Sequence, residues 1–429
     1  MKVSWGFGKG EQHFEVPDHL LLGTVEGTAV EPLADLGGAL DRALREPVAS
    51  PPLAELVRSG DRVTIACPDY HRLWVQSRRW LPLLVRALNR VGVRNRDLTV
   101  IIANGTHSAP GYEGVASIVG EDFPPDIRIV NHDCRDQSML RYLGKTPYGT
   151  PVWVNRHAVE TDHLILTGAV APHAFAGYGG GRKAVLPGMS GLASILANHR
   201  RALSRTPGGG IHPLARPGVL EGNPVHEDML AAAELLGPRF IVNFALSEEG
   251  DFLGVFAGDM REAHAEGCAF VSRAFRVEIP TRADIVVASR GGFPMDLTFY
   301  QAFQSNANAQ AALREDGEGV LIMVGECSQG LGPYEFHRWF DLGGADAIEE
   351  ELRRDFTVGG FVVFRAALLY RQARKVMLVS RLEPEAVRRI GIIPHTSIAE
   401  ALREALDTVP GGRVLLMPHA SQTIPQPAF

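Results

Sequence analysis

The sequence predicts an α/β fold of two domains with mostly parallel sheets, on three observations. At 429 residues, the chain exceeds the size at which one hydrophobic core usually splits into two. Short β-branched runs recur along it, and each ends in a polar or glycine-rich loop. Helical stretches separate these runs, and strand, helix, strand is the repeating unit of a parallel sheet.

The elements follow in order. "DRVTIACPD" (61–69) reads as a strand, and "RRWLPLLVRALNRVGV" (78–93) has the apolar spacing of an amphipathic helix. "LTVIIANGTH" (98–107) is a second strand running into a loop, and "DHLILTG" (162–168) repeats the pattern. Later come "ADIVVASRGG" (283–292), "GVLIMVGEC" (319–327), "KVMLVSR" (375–381) and "GRVLLMP" (412–418), with a helical stretch at "NANAQAALRE" (306–315). A domain break is expected near "FRVEIPTRAD" (275–284). This gives an N-terminal domain over 1–272 and a C-terminal α/β domain over 273–411. No short repeat and no low-complexity tract is present.

Composition narrows the function classes. Hydrophobic residues make up 45% and charged residues 21%, ordinary for a globular protein with two cores. The net charge of −6 comes without a basic block, which argues against nucleic acid or an anionic membrane surface as partner. "GGFVVFRAALLY" (359–370), the most apolar late run, is short and interrupted by Arg365, so no membrane span is expected. No apolar h-region follows the first residues. Cys67, Cys134, Cys268 and Cys327 show no CxxC spacing, which favours a reducing, cytoplasmic setting over a zinc knuckle or disulfide scaffold.

In open α/β sheets ligands bind beyond the carboxyl ends of the strands. That rule gathers "CPDYHR" (67–72), "NGTH" (104–107), the loop 168–183 and "SRGG" (289–292) on one edge. His107 and His173 both follow strand ends. A single such histidine is more often a hydrogen-bonded loop residue, but two on one edge can act as matched acid and base. "GYGGGRK" (177–183) is neither a Walker A loop nor a GxGxxG fingerprint. A surface turn reads about equally well, although Arg182 and Lys183 beside the glycines could complete an anion cradle. His199 in "SILANHR" lacks partner ligands in the sequence, so a metal there would need most of its ligands from outside the protein. Asp69 and Arg72 in "DYHR" read as a turn aspartate and a solvated arginine, or as a carboxylate- or phosphate-binding fork.

With these residues in view, "APHAFAGYGGGRKAVLPGMSGLASILANH" (171–199) resembles the signature of the lactate racemase family, the nickel-pincer nucleotide enzymes. The resemblance continues in "LEGNPVHED" (220–228), "IVNFALSEEGDFLGVFAGDMREAHAEG" (241–267) and "GGFPMDLTFYQAF" (291–303). It implies two Rossmann-like α/β domains with the active site between them, and a segment 412–429 returning to the N-terminal domain. It also implies a cofactor, pyridinium-3,5-bisthiocarboxylic acid mononucleotide nickel, attached covalently at Lys183, with His199 completing the nickel coordination. A pincer supplies three donors, so one imidazole suffices for a square-planar site. By the same resemblance His107 and His173 are the acid/base pair, assisted by Arg72. Asp69 and Arg72 form the DxxR motif, and Gly177, Gly179, Gly180, Gly181 and Arg182 approach the cofactor. Arg72, Gln301 and Gln304 would contact substrate.

The implied activity is a racemase or epimerase that inverts C2 of a 2-hydroxy acid by reversible hydride transfer. Lactate or another small aliphatic acid is favoured over a phenyllactate-like or sugar acid. Two departures bear on that choice: Gln304 stands where a lysine is expected, and apolar residues around "GGFVVFR" (359–365) replace a histidine–lysine pair. An NAD-dependent hydroxy acid dehydrogenase and a non-catalytic cofactor carrier are the competing readings; the absent fingerprint counts against the first and the histidine pair against the second. Cofactor-biosynthesis enzymes are implied partners, and a homo-oligomer is compatible with the sequence.

Overall fold

The computed structural model describes residues 1–237, 240–332 and 335–428. It is an α/β structure with two six-stranded sheets. The first has the spatial order Phe252–Asp259, Phe240–Leu246, His163–Ala169, Val63–Pro68, Leu98–Ala103, Arg128–Asn131. Only the outer pair Phe240–Leu246 and Phe252–Asp259 is antiparallel. The second sheet is parallel throughout, in the order Ile393–His395, Lys375–Val379, Val320–Val324, Ile285–Ser289, Val414–Met417, Leu21–Thr24.

Sequence explains the central strands directly. Every residue of Val63–Pro68, Ile285–Ser289 and Val320–Val324 is buried, as expected where helices cover both faces of a parallel sheet. The helix expected over 78–93 spans Ser77–Arg90 and turns Trp80, Leu81, Leu84, Val85 and Leu88 inward. Its stop is set by Gly92, at φ +95°, a conformation that carries little penalty only without a Cβ.

The domain boundaries need correction. Residues 412–429 were expected to return to the N-terminal domain, yet Val414–Met417 lies inside the second sheet, between Ile285–Ser289 and Leu21–Thr24. Residues before about 25 also belong with that sheet: Trp5, Phe7, Phe14 and Val16 bury in one cluster with Ile285, Val287, Ile322 and Leu416. The first sheet is therefore carried by a long insertion between two strands of the second. The chain's two crossings run side by side, where the Thr28 N–H donates to the Ala274 carbonyl at 2.7 Å. A single apolar cluster containing Ala66, Ile101 and Leu166 also holds Val286, Leu321 and Phe361, so the two halves share one core.

Candidate active site

The carboxyl ends of three neighbouring strands deliver the site. Val63–Pro68 leads to Asp69 and Arg72, Leu98–Ala103 to His107, and His163–Ala169 to the loop with His173 and Lys183. They open on a cavity of about 1200 Å³, counting its mouth, whose far wall is formed by Tyr300, Gln304, Phe361 and Arg365 from the other half.

Asp69, 1% exposed, is the hub of one side. Its Oδ2 accepts from His107 Nδ1 at 2.6 Å and from His71 Nδ1 at 3.2 Å, and Oδ1 pairs with Arg72 Nη1. Burial opposes ionisation of this carboxyl, but the adjacent Arg72, His107 and His71 together hold it well below the usual range. With Nδ1–H donated to Asp69, His107 keeps a lone pair on Nε2. Burial lowers the His107 pKa and the Asp69 carboxylate offsets only part of that, so the imidazole is neutral at pH 7 and ready to accept a proton.

His173 is fixed from the other end. Its Nδ1 accepts the Ala176 N–H at 3.2 Å, which leaves Nε2 facing Lys183 Nζ at 3.3 Å. Burial, reinforced by Lys183 and Arg72, pushes His173 well below its ordinary pKa. Burial and the nearby Arg72 and Arg182 do the same to Lys183, so its ammonium gives up its proton more readily than an exposed lysine, the direction a nucleophile needs. The two loops are braced by backbone: Gly188 donates to the Lys183 carbonyl at 3.0 Å, and Gly105 donates to the Gly188 carbonyl at 2.9 Å.

His199 ends the helix Leu192–His199 and is 6% exposed. Asn198 gives its amide Nδ2 to Asp228 at 2.9 Å and to the Val225 carbonyl at 3.1 Å. Its Oδ1 is then the atom that meets His199 Nδ1 at 3.2 Å, leaving Nε2 with a lone pair. Burial and Lys183 push His199 down to about 3, which suits a neutral ligand nitrogen. The Phe175 ring separates His199 from His173, with centroid distances of 5.1 and 4.7 Å.

Gly179 and Gly180 line the cavity, and all four glycines are closely backed by protein: a Cβ would lie 2.2 Å from the Val219 carbonyl oxygen at Gly177, 3.0 Å from the Ala169 carbonyl oxygen at Gly179, 2.6 Å from Asn243 Oδ1 at Gly180 and 2.9 Å from the His264 ring at Gly181. Arg182 departs from the expected cradle. It is 1% exposed and donates to the carbonyls of Ala176 at 2.8 Å and of Gly179 and Gly180 at 3.3 Å. Its guanidinium holds the loop in shape from behind, sharing the Gly179 carbonyl with His264 Nε2.

Of the expected substrate contacts, Gln304 lines the cavity and its mouth. Gln301 reaches only the mouth and is held by Thr298 Oγ1 at 3.1 Å. Sequence reasoning passed over Arg365 and Tyr300. Arg365 entered only as the charge that interrupts an apolar run, yet it is 7% exposed and faces the cavity. An arginine within the apolar stretch 358–369 of the helix Val358–Gln372 was the available signal. Tyr300 sits with its ring 6.1 Å from that of His107.

Residues 7–209 match the family described as the lactate racemase N-terminal domain, and residues 279–418 match the lactate racemase C-terminal domain. The lactate racemase of Thermoanaerobacterium thermosaccharolyticum is 34% identical over 336 residues, covering 78% of this chain and 76% of that protein. The chain belongs to the lactate racemase family. It is thereby an isomerase of the racemase type. A second family member, the lactate racemase of Lactiplantibacillus plantarum, is 35% identical over 298 residues, or 70% of this chain and 68% of that one. The solved lactate racemase apoprotein from T. thermosaccharolyticum superposes with a TM-score of 0.87 at 30% identity, covering 99% of this chain and all of that one. A Thermotoga maritima protein shares the fold at a TM-score of 0.68 and 17% identity, with coverage of 87% and 95%.

Proposed function

We propose that this chain inverts the C2 stereocentre of lactate or another small aliphatic 2-hydroxy acid, using a nickel-pincer nucleotide tethered at Lys183. The observation that carries the reading is the pair His107 and His173. Two neutral imidazoles, fixed by Asp69 and by the Ala176 N–H, open on one cavity that also holds an amine with a depressed pKa. The family's members named lactate racemase support the substrate class.

The residues present fit the cofactor. Lys183 offers an amine of lowered pKa for the covalent link, His199 offers Nε2 as the protein's donor to nickel, and Gly179 and Gly180 line the cavity without side chains. When bound, the group supplies the acceptor and donor of hydride for the substrate carbon. The chain does the rest. One histidine takes the proton of the substrate hydroxyl as C2 becomes a ketone carbon, and the other returns a proton to the oxygen when the opposite face is reduced. The apolar wall of Phe361 and Val362 keeps water from the ketone.

Chiral chromatography of lactate incubated with cofactor-loaded protein, together with intact-mass measurement, tests the proposal. Conversion of either enantiomer to the racemate is expected, with a cofactor adduct that is absent from Lys183→Ala. A loaded protein that leaves every 2-hydroxy acid unchanged would refute it.

A further inference from the structure

Resting on the racemase reading above, the geometry points to Arg365 as the residue that seats the C1 carboxylate of the substrate. The cations around the cavity differ in what they already meet. Arg72 is paired with Asp69. Arg290, at the mouth, donates to the carbonyls of Gln301 at 2.8 Å and Met295 at 3.2 Å. Lys183 is the tether, and Gln304 is neutral. Arg290 likewise has no acidic partner among the described residues, but its guanidinium is taken up by those carbonyls and stays at the mouth, whereas Arg365 lines the inner cavity. The Nη2 of Arg365 donates to Asn306 Oδ1 at 3.1 Å and its guanidinium lies 5.8 Å from the Phe303 ring centroid. Among the described residues no aspartate or glutamate forms an ion pair with it. Burial lowers its pKa only to about 10, so the charge persists at neutral pH.

A buried guanidinium without a counter-charge is costly, and an arriving carboxylate removes that cost while meeting the planar fork bidentately. The position suits the acid's reacting carbon. Arg365 lies one helical turn after Phe361 and so on the same helix face. Phe361 packs edge-on against Phe175 at 5.3 Å, and Phe175 lies against His173. On the other side Tyr300, which lines the same cavity as Arg365, approaches His107. A carboxylate on Arg365 therefore sits on the wall opposite both imidazoles. Its substituent faces Phe361 and Val362, which fits a short aliphatic chain.

The experiment compares cofactor-loaded wild type, Arg365→Met, Arg365→Lys and Arg365→Met/Gln304→Lys for conversion of lactate and of malate. Arg365→Met should raise KM for lactate roughly 10- to 100-fold, the loss of a hydrogen bond to a charged group, while kcat moves less than about threefold. Adduct mass, nickel content and circular dichroism should match wild type. Arg365→Lys should recover part of the affinity. The double variant should too, because a lysine at 304 supplies a cation from the same cavity wall. An unchanged KM would overturn the assignment. So would loss of adduct or nickel, which would give the charge to the cofactor, and so would a defect confined to malate, which would place a second carboxylate there. Wild type that converts no 2-hydroxy acid defeats the racemase reading itself, and this inference with it.

Discussion

Replacing Asp69 by asparagine isolates the group that aims His107. The carboxylate accepts the Nδ1–H of His107 at 2.6 Å and pairs with Arg72, so it fixes both the ring and its tautomer. Asparagine has one acceptor oxygen. If that oxygen stays with Arg72, the amide N–H₂ faces His107 Nδ1 and drives the proton to Nε2, the nitrogen that has to accept the substrate proton. The wrong tautomer should lower kcat on the order of 10²–10⁴-fold. Stability should fall by about 1.5–3 kcal/mol, the worth of a hydrogen bond to a charged group. It stops short of the full cost of a broken buried pair because Arg72 is 37% exposed and can rehydrate. The pH dependence has a definite sign. The folded Asp69 pKa lies well below 3.8, so its contribution is complete above that value and disappears as pH falls through the folded one. Turnover by chiral chromatography and urea unfolding from pH 7 to strong acid measure both effects. Activity within tenfold of wild type, in protein carrying a full complement of cofactor, would refute the role given to Asp69.

Three further outcomes are expected. His107→Ala and His173→Ala should each lower kcat on the order of 10²–10⁴-fold while keeping the adduct mass, and near-normal turnover by either would discard the two-base scheme. Because burial lowers both imidazoles below 6.5, each stays neutral as pH drops through that value, and the acidic limb of kcat/KM should lie below pH 6.5; a pH–rate profile with its acidic midpoint above 6.5 contradicts this. Gly177→Ala combines φ +75° with a Cβ 2.2 Å from the Val219 carbonyl oxygen, so it should cost more than the roughly 1 kcal/mol of Gly149→Ala, which has φ +84° and nothing within 4 Å; equal denaturation midpoints would show that the loop yields.

The sheets were legible where burial is two-sided, because a run such as "VLIMV" (320–324) can only be a core strand. Leu21–Thr24 was not, since all four residues are half-buried at a sheet edge and its partner lies at the far end of the chain. The insertion topology is equally invisible locally: which sheet Val414–Met417 joins depends on register with Ile285–Ser289, not on its own residues. At the site, the histidines and Lys183 stood out because reactive groups beside glycines are conspicuous. Arg182 misled for the same reason. Its neighbours in sequence suggested an anion, and only the folded loop shows its guanidinium turned to carbonyls. Arg365 was hidden by context, a charge among phenylalanines and valines that helix geometry alone turns toward the cavity.

The placement of Leu21–Thr24 has a consequence for synthesis. Among the described residues that strand pairs only with Val414–Met417, so on the ribosome it emerges some 390 residues before its partner and waits for residues 414–417 to be translated. At 5–20 residues per second the delay is roughly 20–80 s. During it the aromatics Trp5, Phe7 and Phe14 lack the complete surface they finally cover. The nascent chain thus offers a sticky amino-terminal segment to holdase chaperones, and a stop codon shortly before residue 414 would leave that segment orphaned for good.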